Sequence, residues 1–342
     1  SQIPKNSQNR CEGNFRSSRT TVWRRWFPGN RTVEQMKNRD IILALGGGGA
    51  RGLAHIGIIR KIEQAGYRIC GVAGTSIGSV IGGLYCAGVL DKYEEFVLKL
   101  DLKGMFRFLD PRMPIRGLIG GRKIEAYLRR ISNRRHVEDL DIPFAAVATE
   151  LRNGEEVRLR EGDLALAIRA SYAIPGFFTP VLRDGRWLID GGVSTPVPVS
   201  AAQELGNHPI VAVNVNSSSL PPVEAAFAAL SPQPPEPQDE PRLLSSLSDS
   251  IAHLQYRLAI YQLAVHKPAI TLEPQLRGIG LFDFHRSKEL IEAGELCAQN
   301  AIQSSSFEIA ISEAIVKAKS SPDDQPGGWI RGPGSTANRS TG

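Results

Sequence analysis

A serine set between glycines, Gly74-Thr75-Ser76-Ile77-Gly78, follows a short apolar run and precedes a small-residue, apolar segment. Where a strand turns sharply into a helix, such a serine has its hydroxyl lifted clear of the sheet. The glycines allow both the tight turn and the approach of a substrate. Upstream, Gly46-Gly47-Gly48-Gly49 runs into Ala50-Arg51-Gly52. Backbone N–H groups without side chains can point at an oxygen that becomes negative, aided by the positive end of the following helix. Each such donor contributes roughly 3 kcal/mol to the transition state of acyl transfer. On this reading Gly47, Gly48 and Gly49 form an oxyanion hole, and Arg51 fixes the loop or meets an anionic headgroup. Downstream, Asp190-Gly191-Gly192 closes an apolar run, so a carboxylate stands at a strand end with glycines that let it lie close to another loop.

Each motif also has a plainer reading. Gly47-x-Gly49-x-x-Gly52 satisfies the G-x-G-x-x-G fingerprint of dinucleotide sites, but such a fold wants an acid at the end of its second strand. This chain has Gly74-Thr75-Ser76 there. A lone Asp-Gly is ordinarily a turn. The serine still requires a base, and the histidines (His55, His136, His208, His253, His266 and His285) stand in no recognisable triad context. A Ser76–Asp190 dyad is therefore preferred to an α/β-hydrolase with a histidine base. The block 170–178, Ala-Ser-Tyr-Ala-Ile-Pro-Gly-Phe-Phe, reads first as packing, with Pro175 ending a helix and Phe177 and Phe178 entering the core. Shaping of an acyl pocket is its secondary reading.

The elements that must position these residues are legible as patterns. Residues 41–45 are a continuous apolar run, the mark of a parallel strand buried on both faces. From 51 to 65 apolar residues recur at helical spacing, and Gly66 closes the segment. A second strand over 68–73 leads into the serine turn and a helix over 79–87, giving the β-α-β-α start of a parallel sheet. Further strands are expected at 144–149, 187–189 and 210–215, a hairpin around Asn153-Gly154, and a helix over 164–171 capped by Asp163. An amphipathic helix is expected over 243–265, a strand over 269–272, and a last helix over 287–319 that breaks near 304–306.

Composition sets the outer limits. The chain has 342 residues and 42% hydrophobic and 22% charged residues, which excludes a wholly disordered or collagen-like protein. The net charge of +6 lies entirely within residues 1–40, a basic extension that also carries Trp23, Trp26 and Phe27. That arm reads as a solvated terminus, with peripheral contact to an anionic membrane surface as its functional alternative. No basic excess continues into the body, so a nucleic-acid partner is not expected. The four cysteines lack CxxC spacing, so neither a disulfide framework nor a zinc site is expected, and free thiols fit a reducing, cytoplasmic setting. No secretory signal or membrane-spanning run is evident. Residues 217–241, rich in proline and serine, read as a surface excursion and candidate lid, 242–320 as a helical part packing on the core, and 321–342 as a disordered tail.

Taken in order, the Gly47–Gly52 loop, the serine turn, the block 170–178 and the Asp190-Gly191-Gly192 triplet resemble the patatin-like phospholipase family, in its bacterial branch. Gly117-Leu118-Ile119 and Lys123-Ile124-Glu125 resemble that branch's middle segment. The likeness covers residues 41–216. It implies a three-layer α/β/α fold with a mostly parallel central sheet, a Ser–Asp dyad with Ser76 as nucleophile and Asp190 as proton acceptor, and the glycine loop as oxyanion hole. It further implies lipid ester substrates, with no cofactor and no metal. Gly192 stands where some members have alanine. The competing function is a non-catalytic lipid-binding or regulatory module on the same fold.

Overall fold

The computed structural model describes residues 39–101, 120–216 and 243–320. In chain order these form β1 (Asp40–Leu45), a 3-10 turn (Gly49–Leu53) leading into α1 (Ala54–Gln64), β2 (Arg68–Thr75), α2 (Ile77–Cys86) and α3 (Leu90–Leu98). There follow α4 (Arg122–Ile131), β3 (Phe144–Glu150), β4 (Glu156–Leu159), α5 (Leu164–Ser171), β5 (Val181–Arg183) and β6 (Arg186–Asp190). The remainder is α6 (Val199–Gln203), β7 (Ile210–Val213), α7 (Leu243–His266), β8 (Ile270–Leu272), α8 (Ser287–Gln303) and α9 (Ser306–Ser320).

Side chains alternate across β1, and the alternation divides the interior. Ile41, Leu43 and Leu45 join a core with Ile59 and Ile62 of α1, Ile81 and Leu84 of α2, and Leu290 and Ile291 of α8. Ile42 and Ala44 join a second core with Val199, Ala201 and Ala202 of α6 and Ala259 of α7. Helices therefore cover both faces of the sheet, the three-layer α/β/α arrangement expected of βαβ repeats. Among the described residues, no helix is long and apolar enough to cross a membrane.

The strand order is β5-β6-β3-β2-β1-β7-β8, with β4 also paired to β3. The five strands from β3 to β8 along that path are parallel, while β4, β5 and β6 are antiparallel to their neighbours. One detail of register matters most. A strand bonds along two edges only. On β3, β4 takes one edge from Ala146 to Thr149, and β2 takes the other from Phe144 to Val147. β2 stops with Thr75 opposite Val147, and β6 enters the vacated edge from the other direction with Asp190 opposite Ala148. The residue after Thr75 is Ser76, so pairing alone brings strand end against strand end.

Several element boundaries differ from expectation for physical reasons. The segment expected as a helix over 51–65 begins as a 3-10 turn, and α2 starts at Ile77, directly after Ser76, whose carbonyl accepts from the N–H groups of Ser79 and Val80. Pro175 does not end α5. The helix stops at Ser171, four residues earlier, while Phe177 and Phe178 are buried as expected. The Asn153-Gly154 hairpin joins β3 to β4, and Asp163 caps α5 by accepting the Leu166 N–H at 2.7 Å. The last helix divides at Ser304 and Ser305 into α8 and α9. Helices α3 and α6 and strand β5 had no counterpart in the sequence reading; α4 holds the Lys123-Ile124-Glu125 segment. The arm before residue 39, Gly117-Leu118-Ile119, the excursion 217–241 and the tail after 320 lie outside the described residues.

Helix α8 is held against α1 by two glycines. A Cβ on Gly57 would fall 2.1 Å from the Ile291 carbonyl oxygen, and one on Gly294 would fall 2.0 Å from that of Ala54. Because backbone, not a flexible side chain, occupies that space, Gly294→Val is expected to push the helices apart. The expected loss is about 2–3 kcal/mol, or more, from overpacking. Urea unfolding monitored by circular dichroism should show the midpoint falling at unchanged slope.

Candidate active site

Ser76 sits at the turn from β2 into α2 with φ 54° and ψ −123°, on the positive side of φ that a side chain rarely adopts. Such a conformation costs on the order of 1–3 kcal/mol and persists only where the surroundings over-determine it. Here they do. The Ser76 N–H donates to Ser171 Oγ at 2.9 Å, and Ser171 Oγ in turn donates to the Val147 carbonyl at 2.6 Å. The Ser76 carbonyl accepts from Ser79 Oγ at 2.6 Å. The flanking glycines are sterically required: a Cβ on Gly78 would lie 2.1 Å from the Leu45 carbonyl oxygen, and one on Gly74 would lie 2.5 Å from that of Gly78. Gly52 is likewise pressed on Ile77.

Ser76 Oγ donates to Asp190 Oδ2 at 2.6 Å. The other carboxylate oxygen, Oδ1, accepts the Gly192 N–H at 2.7 Å, which fixes the plane of the group. Asp190 N–H donates to the Ala173 carbonyl at 2.9 Å, and Thr149 Oγ1 donates to the Asp190 carbonyl at 3.0 Å. Gly191 permits the approach, since a Cβ there would stand 2.2 Å from the Val147 carbonyl oxygen. Asp190 is 1% exposed. Burial disfavours its charged form and raises its pKa to about 6, against the opposing pull of the bonds from Ser76 and Gly192.

The glycine loop lies beside this pair. A Cβ on Gly47 would meet that of Ser76 at 3.1 Å. The Gly47 N–H, expected as an oxyanion donor, is directed instead to the Pro196 carbonyl at 2.9 Å. Among the hydrogen bonds of the described residues, the N–H groups of Gly48 and Gly49 have no acceptor, and both residues border the space in front of Ser76. Arg51 takes the first of its two expected roles: its Nε donates to the Gly48 carbonyl at 3.2 Å, closing the loop on itself. Its position also brings a cation to the rim of the same space.

Histidine enters the site only as a support. His55, fully buried on α1, contacts the Gly46 carbonyl through Nε2 at 2.8 Å, and burial lowers its pKa to about 4, so the ring is neutral and acts as the donor. None of the six histidines borders the space at Ser76. Among the described residues, the one cluster with metal-ligating types is Asp40, Cys70 and His208. It lies near the opposite, amino-terminal ends of β1 and β2, and both carboxylate oxygens of Asp40 are already bonded to Arg68.

The expectation of a hydroxyl standing clear of the sheet is only half met. Ser76 is 4% exposed, and the chamber in front of it, lined by Gly48, Gly49, Arg51, Asp190 and Leu281 and covered by Ile251, Ala252 and Gln255 of α7, holds about 10 Å³. A wider cleft of about 310 Å³ adjoins Asp190 between Ile174, Pro175, Gly176, Val193 and Ile251. Phe177 and Phe178 border neither space and pack on Phe282 and Tyr172. Sequence reasoning missed Ser171 as a support of the serine turn, although the residue stood inside a block already singled out. It also missed α7 as the cover, whose signal was the pair Gln255 and Gln262 among the small and apolar residues of its inner face.

The strand–turn–helix with its adjoining glycine loop, on a mostly parallel three-layer sheet, defines the class. Residues 43–202 match the model of the patatin-like phospholipase family. That segment carries the family's domain. The chain is 41% identical over 186 residues to an uncharacterised NTE family protein of Mycobacterium tuberculosis, covering 54% of this chain and 52% of the relative. It is 31% identical over 194 residues to patatin-like phospholipase domain-containing protein 6 of Mus musculus, covering 55% of this chain and 14% of that protein. The chain thus spans about half the length of the mycobacterial relatives it matches. Among solved structures, VipD from Legionella pneumophila aligns with a TM-score of 0.41 at 13% identity over 78% of this chain and 67% of that one, a likeness too slight to carry an argument.

Replacing Ser171 with alanine leaves the Ser76 N–H buried without an acceptor. Such a loss costs about 1–3 kcal/mol. Denaturant titration of Ser171→Ala is expected to show that deficit, and Ser171→Thr, which keeps the oxygen, to restore part of it.

Proposed function

We propose that this chain is a serine acyl hydrolase acting on lipid carboxylic esters, of the phospholipase A or lysophospholipase type. Ser76 is the nucleophile, Asp190 the proton acceptor, and the N–H groups of Gly48 and Gly49 the oxyanion donors. The observation that carries the reading is the 2.6 Å bond from Ser76 Oγ to a buried Asp190 oxygen, beside two loop amides without acceptors. The family match over residues 43–202 supports the lipid class of the substrate.

In this reading Ser76 Oγ attacks the ester carbonyl while its proton passes to Asp190 Oδ2. Because a carboxylate is far less basic than an alkoxide, transfer accompanies attack. The carbonyl oxygen turns negative toward the Gly48 and Gly49 amides, the 3-10 turn's positive end and Arg51. Collapse breaks the ester C–O bond, and the leaving alcohol takes the proton from Asp190. Water then attacks the acyl-serine, Asp190 accepts its proton and returns it to Ser76, and the fatty acid departs. The cleft beside Ile174, Val193 and Ile251 suits an acyl chain, since its walls are largely apolar. A module that only holds lipid has no use for a serine strained into this turn against a buried base, so the catalytic reading is preferred.

Ser76→Ala and Asp190→Asn are each expected to lower kcat on a short-chain ester by at least about a hundredfold while leaving the fold intact. Retention of parent activity by Ser76→Ala would sink the assignment.

The ionised form of Asp190 is the working base. Activity, as kcat/KM, is therefore expected to rise with pH through a single ionisation near 6 and to level off above it. Stability moves the other way. The folded pKa is raised, so the contribution of protonated Asp190 to stability is full below the ordinary carboxyl value and is lost as pH rises through about 6. Asp190→Asn should thus be more stable than the parent at neutral pH, by about 1–3 kcal/mol, in calorimetric scans across pH 4 to 8.

A further inference from the structure

The chamber at Ser76 is too small for an ester while α7 covers it. The described attachments of the cover mix a few polar bonds with small or partly buried apolar side chains. On its inner face Gln262 Nε2 donates to the Ser194 carbonyl at 2.8 Å, and Gln255 Oε1 accepts a long bond of 3.5 Å from Asn216 Nδ2. Among the described residues of that face, Ala252 and Ala259 are buried, Ile251 and Leu263 are partly buried against the two cores, and the His266 carbonyl accepts from Gln203 Nε2 at 3.1 Å.

The outer face has the opposite character. Leu254, Tyr261 and Val265 are 69%, 71% and 73% exposed and fall at i, i+7 and i+11, a single stripe along the helix. Ile260 lies exposed to one side of it. From Ile251 to Lys267 there is no aspartate or glutamate, and Arg257 and Lys267 are exposed. A contiguous apolar stripe with a tyrosine, on a stretch whose charged residues Arg257 and Lys267 are both cations, is the composition of a helix that lies in the boundary layer of an anionic bilayer. Charge complementarity selects that occupant over an uncharged or basic surface.

We propose that the outer face of α7 docks on an anionic lipid surface, and that docking draws the helix away from Ser76 and admits substrate from the bilayer. The docking stands on the surface of α7 alone, while the admission of substrate rests on the hydrolase reading above. In this arrangement one helix both seals the strained serine from dispersed esters and meets the phase in which lipid esters reside. Embedding the stripe offsets the loss of these inner contacts.

The test uses the full chain and a variant carrying Leu254→Ser, Tyr261→Ser and Val265→Ser, three exposed positions that touch no part of the site. Co-sedimentation is measured with vesicles of phosphatidylcholine alone and of phosphatidylcholine mixed with phosphatidylglycerol. Hydrolysis is measured on a dispersed short-chain ester and on the mixed vesicles. The parent is expected to bind the anionic vesicles at least about tenfold more tightly than the variant, given three apolar side chains withdrawn from water. Both proteins should hydrolyse the dispersed ester at the same low rate, with only the parent accelerated by anionic vesicles. Gln262→Ala, which loosens the cap, is expected to raise the rate on dispersed ester without vesicles. Equal vesicle binding by parent and variant overturns the proposal and transfers the contact to another surface, such as residues 1–40. A change in self-association at unchanged vesicle binding also overturns it, making the stripe a protein interface. Stripe-dependent binding by a parent that hydrolyses nothing would uphold docking while removing the hydrolase reading.

Discussion

Ser76 and Asp190 meet because two strands share one edge of a third. β2 leaves the edge of β3 after Val147, and β6 arrives on the same edge at Ala148 from the opposite direction. The hydroxyl and the carboxylate are therefore brought together by backbone pairing, and side-chain packing only refines the contact. The same junction explains why Gly191 is needed, since it crosses directly over the Val147 carbonyl. It also explains why Ser171 bonds to both Ser76 and Val147, bridging the gap between the end of one strand and the start of the other.

This junction is expensive to hold. It places a serine at positive φ and a carboxylate almost wholly buried, and each is unfavourable alone. The two are compensated together: the serine hydroxyl and the Gly192 amide satisfy the carboxylate, while Ser171, Ser79 and the first turn of α2 satisfy the serine backbone. The residual penalty is visible as a carboxyl that ionises only near pH 6. A base that is buried, oriented and moderately raised in pKa is better matched to work near neutrality than an ordinary surface carboxylate.

Much of this was legible in the residue order. The run 41–45 announced a central strand, because a strand buried on both faces must be apolar throughout, and the two cores that share its alternate side chains bear that out. The glycines around Ser76 and after Asp190 marked places where backbone passes close to backbone. What could not be read was the direction of β6, since an apolar strand of five residues looks the same whether its partner is parallel or antiparallel. Nor could the sequence reveal that Gly47 spends its N–H on Pro196, a residue 149 positions away. The cover escaped notice for a related reason. Helix α7, expected to be amphipathic, carries apolar residues on both its inner and its outer face, so its periodicity could not say which face meets the protein.

The most direct test of the account is covalent. A fluorophosphonate reacts with a serine only where a neighbouring base takes its proton as the oxygen attacks phosphorus and fluoride leaves. After treatment of the full chain, peptide mass spectrometry should find a single adduct on Ser76, absent when Asp190 is changed to asparagine. An adduct on another residue, or a Ser76 adduct formed equally fast without Asp190, would contradict the claim that this strand junction builds the reactive pair.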